Sequence, residues 1–184
     1  EKIYDKYVEE FVKEVKSYKI GLPTEEGTYI GALTRKAQLE FIALQIKDAT
    51  DKGALIMTGG KPVKRKGYYF EPTVLVNVNH SMSVMRDESF GPIIGIMKVK
   101  NDDEAIQLIQ DTEYGLTAGV YTATKERAEK ILSQIQTGTV YWNCCDRVSA
   151  AVPWSGRKKS GIGSTLSHAG IRAFTNTKSY HLKS

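Results

Sequence analysis

Apolar residues recur at helical spacing near the start of the chain. Ile3, Tyr7, Val8, Phe11, Val12, Val15 and Tyr18 fall on one face, so a helix is expected over residues 3–18, stopped by Gly21-Leu22-Pro23. Thr34 suits the N-cap of a second helix, which presents Leu39, Ile42, Ala43, Ile46 and Ala49 on one side. Lys52-Gly53 ends it with a C-cap signature. The short apolar run ALIMT at 54–58 then reads as a buried strand, broken by Gly59-Gly60. Residues 61–67, KPVKRKG, read as an exposed basic loop. The β-formers of YYFEPTVLVNV at 68–78 enclose Pro72, which makes this stretch an edge strand or one interrupted at the proline.

The second half alternates more regularly. PIIGIMKV at 92–99 is the strongest strand pattern, followed by a helix from Asn101 or Asp102 through Ile109. A strand over 118–122 leads to a helix capped by Thr124, with Ala128, Ile131, Leu132 and Ile135 facing inward. Residues 138–143, GTVYWN, form another strand, and glycine-containing irregular chain runs to Gly163. A last helix is expected over about 165–174, and KSYHL at 178–182 reads as a terminal strand. Strand and helix alternating from 92 to 143 make a βαβαβ run with right-handed crossovers. The expected class is α/β, a mostly parallel sheet with helices on both faces. No linker, repeat or low-complexity segment divides the chain.

Composition narrows the function without naming it. At 184 residues the chain is one domain by length and can bury a sizeable core. With 41% hydrophobic residues, disorder is excluded as the main state. No apolar run approaches the roughly 20 residues that cross a bilayer. The opening EKIYDKYVEEFVKEV is charged and amphipathic, unlike a signal peptide, and begins without Met, so a fragment or processed chain is expected. The net charge of +5 gathers modestly at Lys61, Lys64, Arg65, Lys66 and at Arg157, Lys158, Lys159, without the interleaved aromatics of a nucleic-acid module. Two adjacent cysteines cannot build a disulfide framework, so both read as reduced thiols of a reducing, cytoplasmic compartment.

Candidate chemistry is sparse. G-x-G-x-x-G opening a helix is absent, and Gly156–Gly161 is followed by Ile162-Gly163 where a phosphate loop needs Lys-Ser/Thr. His80, His168 and His181 lie far apart, with no metal-ligand spacing. Cys144-Cys145 at a strand end can be a nucleophile with Arg147 lowering its pKa, or simply a thiol lining a pocket. Glu88 can accept hydrogen bonds from a vicinal diol and Phe90 can offer a ring a flat face; a solvated carboxylate beside a packed aromatic fits equally well. Asn143 can orient a polar ligand group or form a turn. Trp154 is either a pocket wall or a core anchor.

Six segments, taken together, resemble one family. GALIMTGG at 53–60, GYYFEPTVL at 67–75, RDESFGPI at 86–93, YGLTAGVYT at 114–122, GTVYWN at 138–143 and PWSGRKKSGIG at 153–163 match, in order and spacing, the C-terminal segments of the aldehyde dehydrogenases. The tail GIRAFTNTKSYHL at 170–182 resembles the less characterised members. The resemblance covers essentially the whole chain. It implies oxidation of a small-molecule aldehyde to an acid, with a cysteine thiolate attacking the aldehyde, hydride passing to NAD or NADP, and a glutamate-activated water hydrolysing the thioester. It also implies that the nucleophile, the general base and the dinucleotide-binding domain lie upstream. Residues 1–177 then correspond to the C-terminal part of the catalytic domain and 178–184 to an oligomerisation strand, giving a homodimer or homotetramer. No catalytic residue is expected in this chain, which is expected to be inactive alone.

The same resemblance carries roles by position. Glu88 matches a glutamate that holds the nicotinamide-side ribose, Phe90 an aromatic near the nicotinamide, and Gln38 a helix position that reaches the cofactor. Phe41 stands where some members carry a lysine. Asn143, Cys144, Cys145, Asp146, Arg147, Val148 and Trp154 fall on the loop that shapes the aldehyde pocket, where Arg147 can favour an acidic aldehyde. Ser164-Thr165 departs from the Arg-Glu of many members. A different class, a non-catalytic binding or assembly module on the same fold, would follow if the upstream sequence lacked the cysteine and glutamate.

Overall fold

The computed structural model describes residues 1–145 and 147–183, which gather into two units, Glu1–Asn101 and Asp102–Ser184. The first unit holds helix α1 (Tyr4–Ser17), strands β1 (Lys19–Ile20) and β2 (Thr28–Ile30), helix α2 (Lys36–Asp51), and strands β3 (Leu55–Thr58), β4 (Thr73–Val76) and β5 (Ile93–Ile96). Its main sheet has the order β3-β4-β5. β3 pairs antiparallel to β4, and β4 pairs parallel to β5 from Thr73↔Ile93 to Val76↔Ile96.

The period-2 alternation of β4 explains how this unit is layered. Val74 and Val76 pack with Val8, Val12 and Val15 of α1. Leu75, pointing the other way, packs with Ile42, Ile46 and Ala49 of α2, together with Phe70 and Met82. Two amphipathic helices therefore cover opposite faces of one strand, and all four residues of β4 are buried. The α/β class and helices on both faces hold here. Pro72 does not put this strand at an edge: it stands just before Thr73, where a missing N–H spares the ladder, and β4 is central.

Two other local expectations are corrected and one is borne out. The N-cap of α2 is Arg35 rather than Thr34, and its side chain makes no capping hydrogen bond. The helix does end at Lys52, with Gly53 at φ +95°, a left-handed conformation that costs glycine nothing. β3 is not a buried strand: it lies at an edge of its sheet, and Leu55, Ile56 and Met57 are all exposed, so neither face is covered at these residues.

The second unit holds α3 (Asp102–Gln110), β6 (Tyr114–Gly115), β7 (Thr117–Val120), α4 (Lys125–Leu132), β8 (Thr139–Trp142), β9 (Trp154–Ser155), β10 (Arg157–Lys158), β11 (Ser164–Thr165) and α5 (Ser167–Arg172). β7 and β8 pair in parallel from Thr117↔Thr139 to Val120↔Trp142, with α4 as the crossover, so the second half of the expected βαβαβ run forms; the first half does not, because β5 pairs with β4 in a separate sheet and not with β7. Ile106, Ile131 and Ile135 make its core against Ala118 and Val120. Thr124 is the N-cap of α4 but makes no side-chain capping bond. Short antiparallel ladders join β10 to β6 and β11 to β9. The terminal strand expected over 178–182 is not formed in this chain, and Tyr180 and Leu182 are exposed.

Candidate functional site

Helix α2 and the segment 88–91 build the first candidate site. Gly91 comes so close to α2 that a Cβ there would overlap Ile42, whose side chain is wholly buried. The Gln38 amide Nε2 donates to the Ser89 carbonyl oxygen. These two contacts seat the segment on the helix. They also hold Phe90 at φ +44°, a region a bulky residue rarely adopts, with its ring 78% exposed.

A pocket of about 490 Å³ opens beside that ring, lined by Ala32, Leu33, Thr34, Arg35, Gln38 and Phe90. Residues more than fifty positions apart, Gln38 and Phe90, thus share one cavity of the size small ligands use. Glu88, two residues before the ring, is exposed. The pocket thus offers an aromatic face and an amide side chain, while the Glu88 carboxylate stands outside its lining. The sequence does not disclose one thing Gln38 does: its amide N–H₂ orients the segment carrying Phe90. Thr34 and Arg35 line the pocket and were not named as site residues from the sequence; the one available signal was their position immediately before the helix that carries Gln38.

The second candidate site is the loop after β8. Asn143 takes the left-handed conformation, φ +52°. Its Oδ1 accepts from the Thr122 N–H at 2.9 Å and its Nδ2 donates to the Thr122 carbonyl at 3.0 Å. The Trp142 indole N–H donates to that same carbonyl, also at 3.0 Å. The Asn143 amide therefore ties the end of β8 to the end of β7, and its role as a turn residue prevails over an amide free to orient a ligand. Cys144 is half-buried and Cys145 exposed, both as free thiols. Arg147 is exposed, and its carbonyl accepts a bond from the Tyr141 hydroxyl at 3.4 Å. Val148 is exposed. Trp154 is half-buried on β9, opposite Thr165. Asp146 lies outside the described residues. The structure gathers these positions on one loop and the short ladder that follows it, without enclosing them.

Electrostatics favour surface ties over catalysis. Arg127 holds the Asp102 carboxyl below its ordinary range by a hydrogen bond, and Glu113 raises the Lys159 ammonium in the same way. Lys158 donates to the carbonyls of Gln110 and Thr112, which fixes β10 beside the end of α3. Among the described residues no group of histidine, cysteine or carboxylate side chains is arranged to hold a metal ion, and no helix is long and apolar enough to cross a membrane.

Comparison with known proteins identifies the family. The model of the aldehyde dehydrogenase family matches residues 1–180. A chloroplastic betaine aldehyde dehydrogenase of Atriplex hortensis is 38% identical over 97% of this chain and 36% of its own length. A cytosolic aldehyde dehydrogenase of Elephantulus edwardii is 39% identical over the whole chain, again 36% of its own length. Among solved structures, lactaldehyde dehydrogenase from Escherichia coli superposes with a TM-score of 0.94 at 32% identity, over 99% of this chain and 38% of that one. Betaine aldehyde dehydrogenase from Staphylococcus aureus in complex with NAD+ gives 0.88 at 32% identity, over 94% and 35%. The chain thus spans little more than a third of these relatives, and the family model matches nearly all of it: it belongs to the aldehyde dehydrogenase family.

Proposed function

We propose that this chain is the C-terminal part of the catalytic domain of an NAD(P)-dependent aldehyde dehydrogenase that oxidises a small-molecule aldehyde to its carboxylic acid. The observation that carries this reading is the pocket in which α2 and the segment 88–91 bring Gln38 and Phe90 together, within a chain of this family. The donor set fits a nicotinamide dinucleotide: Glu88 would accept from the ribose hydroxyls, Phe90 would pack on the nicotinamide side, and Gln38 would hold the segment in place. When bound, NAD or NADP supplies a hydride acceptor. The pocket's own residues would orient it, and Phe90, already held with its ring uncovered, would cover one face of it without rearranging.

The loop after β8 would shape the aldehyde entrance. Cys144, Cys145, Asp146, Arg147, Val148 and Trp154 supply its side chains, and Asn143 fixes where the loop departs. Arg147, exposed on this loop, would favour an aldehyde with an acidic substituent; unchanged discrimination between neutral and acidic aldehydes in Arg147→Ala would remove that point. Neither cysteine is assigned as the nucleophile, which we place upstream with the general base. The exposed tail 178–183 would pair with another copy in a homodimer or homotetramer, and the compartment would be cytoplasmic.

Aldehyde-dependent formation of NADH or NADPH tests the reading. It is measured for this chain and for the longest reading frame that contains it. Turnover only in the longer protein is the expected result. Absence of turnover in both, across an aldehyde panel and with both cofactors, would overturn the assignment in favour of a non-catalytic module.

A further inference from the structure

We infer that Arg35 binds the 5′-phosphate on the nicotinamide half of the dinucleotide, and so supplies charge recognition in a pocket whose other lining residues are uncharged. The inference rests on the reading of Glu88, Phe90 and Gln38 as the nicotinamide-ribose site. Arg35 lines the same pocket as Gln38 and Phe90. Its guanidinium forms no ion pair and no hydrogen bond among the described residues, whereas the neighbouring Lys36 is engaged with Glu40. No carboxylate lines the pocket to neutralise it, and the Thr34 hydroxyl beside it adds a neutral donor. The group that follows a nicotinamide ribose is a phosphate. A guanidinium matches its oxygens with two parallel N–H bonds, which a lysine cannot reproduce.

The test uses the longest reading frame containing this chain and reads binding, not turnover. Dissociation constants are measured by calorimetry for nicotinamide riboside and for nicotinamide mononucleotide, at low and high salt. The mononucleotide is expected to bind about tenfold tighter or more. That advantage should shrink as salt rises. Arg35→Gln should erase the advantage and leave the riboside constant unchanged, and Arg35→Lys should keep part of it. Because Arg35 makes no capping bond, α2 does not depend on its side chain, and circular dichroism would verify this. A phosphate advantage undiminished in both variants overturns the inference while leaving the pocket reading intact. Binding of neither ligand, or binding indifferent to Glu88→Gln and Phe90→Ala, overturns the pocket reading and this inference with it.

Discussion

The two units solve the problem of placing a site in different ways. In the first, a strand buried along its whole length lies between two helices, and the candidate residues are seated directly on one of those helices. In the second, three isoleucines make a smaller core, and the candidate residues ride on a loop whose side chains are mostly exposed. A pocket on rigid elements is formed before a ligand arrives. A loop without cover needs further walls to define what it admits. This difference matches the roles proposed: a cofactor common to many aldehydes on the rigid unit, and the aldehyde that distinguishes one enzyme from another on the loop.

The comparison breaks most readily in the cores. Leu75→Ala empties a fully buried position between β4 and α2 and should cost about 3–5 kcal/mol, whereas Ile131→Ala in the smaller core should cost about 2–3 kcal/mol. Urea unfolding of each variant checks the order; the reverse order would contradict the contrast between units. Gly138→Ala comes next. A Cβ there would meet the backbone of Ser155 and Gly156, which cannot swing aside, and the loss should be about 1–3 kcal/mol with the β8–β9 region disturbed first. Hydrogen exchange of residues 138–156 would show it.

A smaller effect of opposite sign is expected at Gln45. Both amide atoms are buried without a hydrogen-bond partner among the described residues. Gln45→Met keeps the length and removes that cost, so the melting temperature should rise, by a stabilisation of about 1–2 kcal/mol. A fall would show that the amide is satisfied in solution.

The smallest effect concerns Asp102, which accepts two bonds from Arg127 at 2.6 and 2.9 Å and joins α3 to α4. Its carboxyl is held below the ordinary range, chiefly by the Arg127 hydrogen bond. The bond therefore stabilises the fold above the unfolded carboxyl pKa, and the contribution fades as pH falls through the lowered folded value. Since both side chains are substantially exposed, solvent screening limits this to under about 1 kcal/mol. Asp102→Asn should therefore lower stability near pH 7 by under about 1 kcal/mol and flatten the acid limb, so that variant and parent converge once the pH falls below the folded carboxyl pKa.

Much of the fold was legible because it depends on local pattern. The valines of α1, the Ile42–Ala49 face of α2, the Lys52-Gly53 stop and the α4 crossover all follow from periodicity and caps. What the pattern could not disclose depends on neighbours. An apolar run such as Leu55–Met57 looks the same whether its faces are covered or exposed. Pro72 is compatible with a central strand only because the ladder begins one residue later. At the sites, Phe90 and Gln38 were named through family resemblance, but the bond from Gln38 to Ser89 and the place of Arg35 in the pocket are tertiary facts. The closing of the Asn143 amide on Thr122 is another, since it needs β7 and β8 side by side.

The central claim is that the segment 88–91, held against α2, forms the nicotinamide end of a cofactor site. Its most direct test is equilibrium binding of NADH, followed by its fluorescence, to the longest reading frame carrying this chain, compared with Glu88→Gln and Phe90→Ala. The account predicts that each substitution weakens binding about tenfold or more while circular dichroism and melting temperature hold. Unchanged affinity in both variants, with NADH still bound, would place the cofactor elsewhere and contradict it.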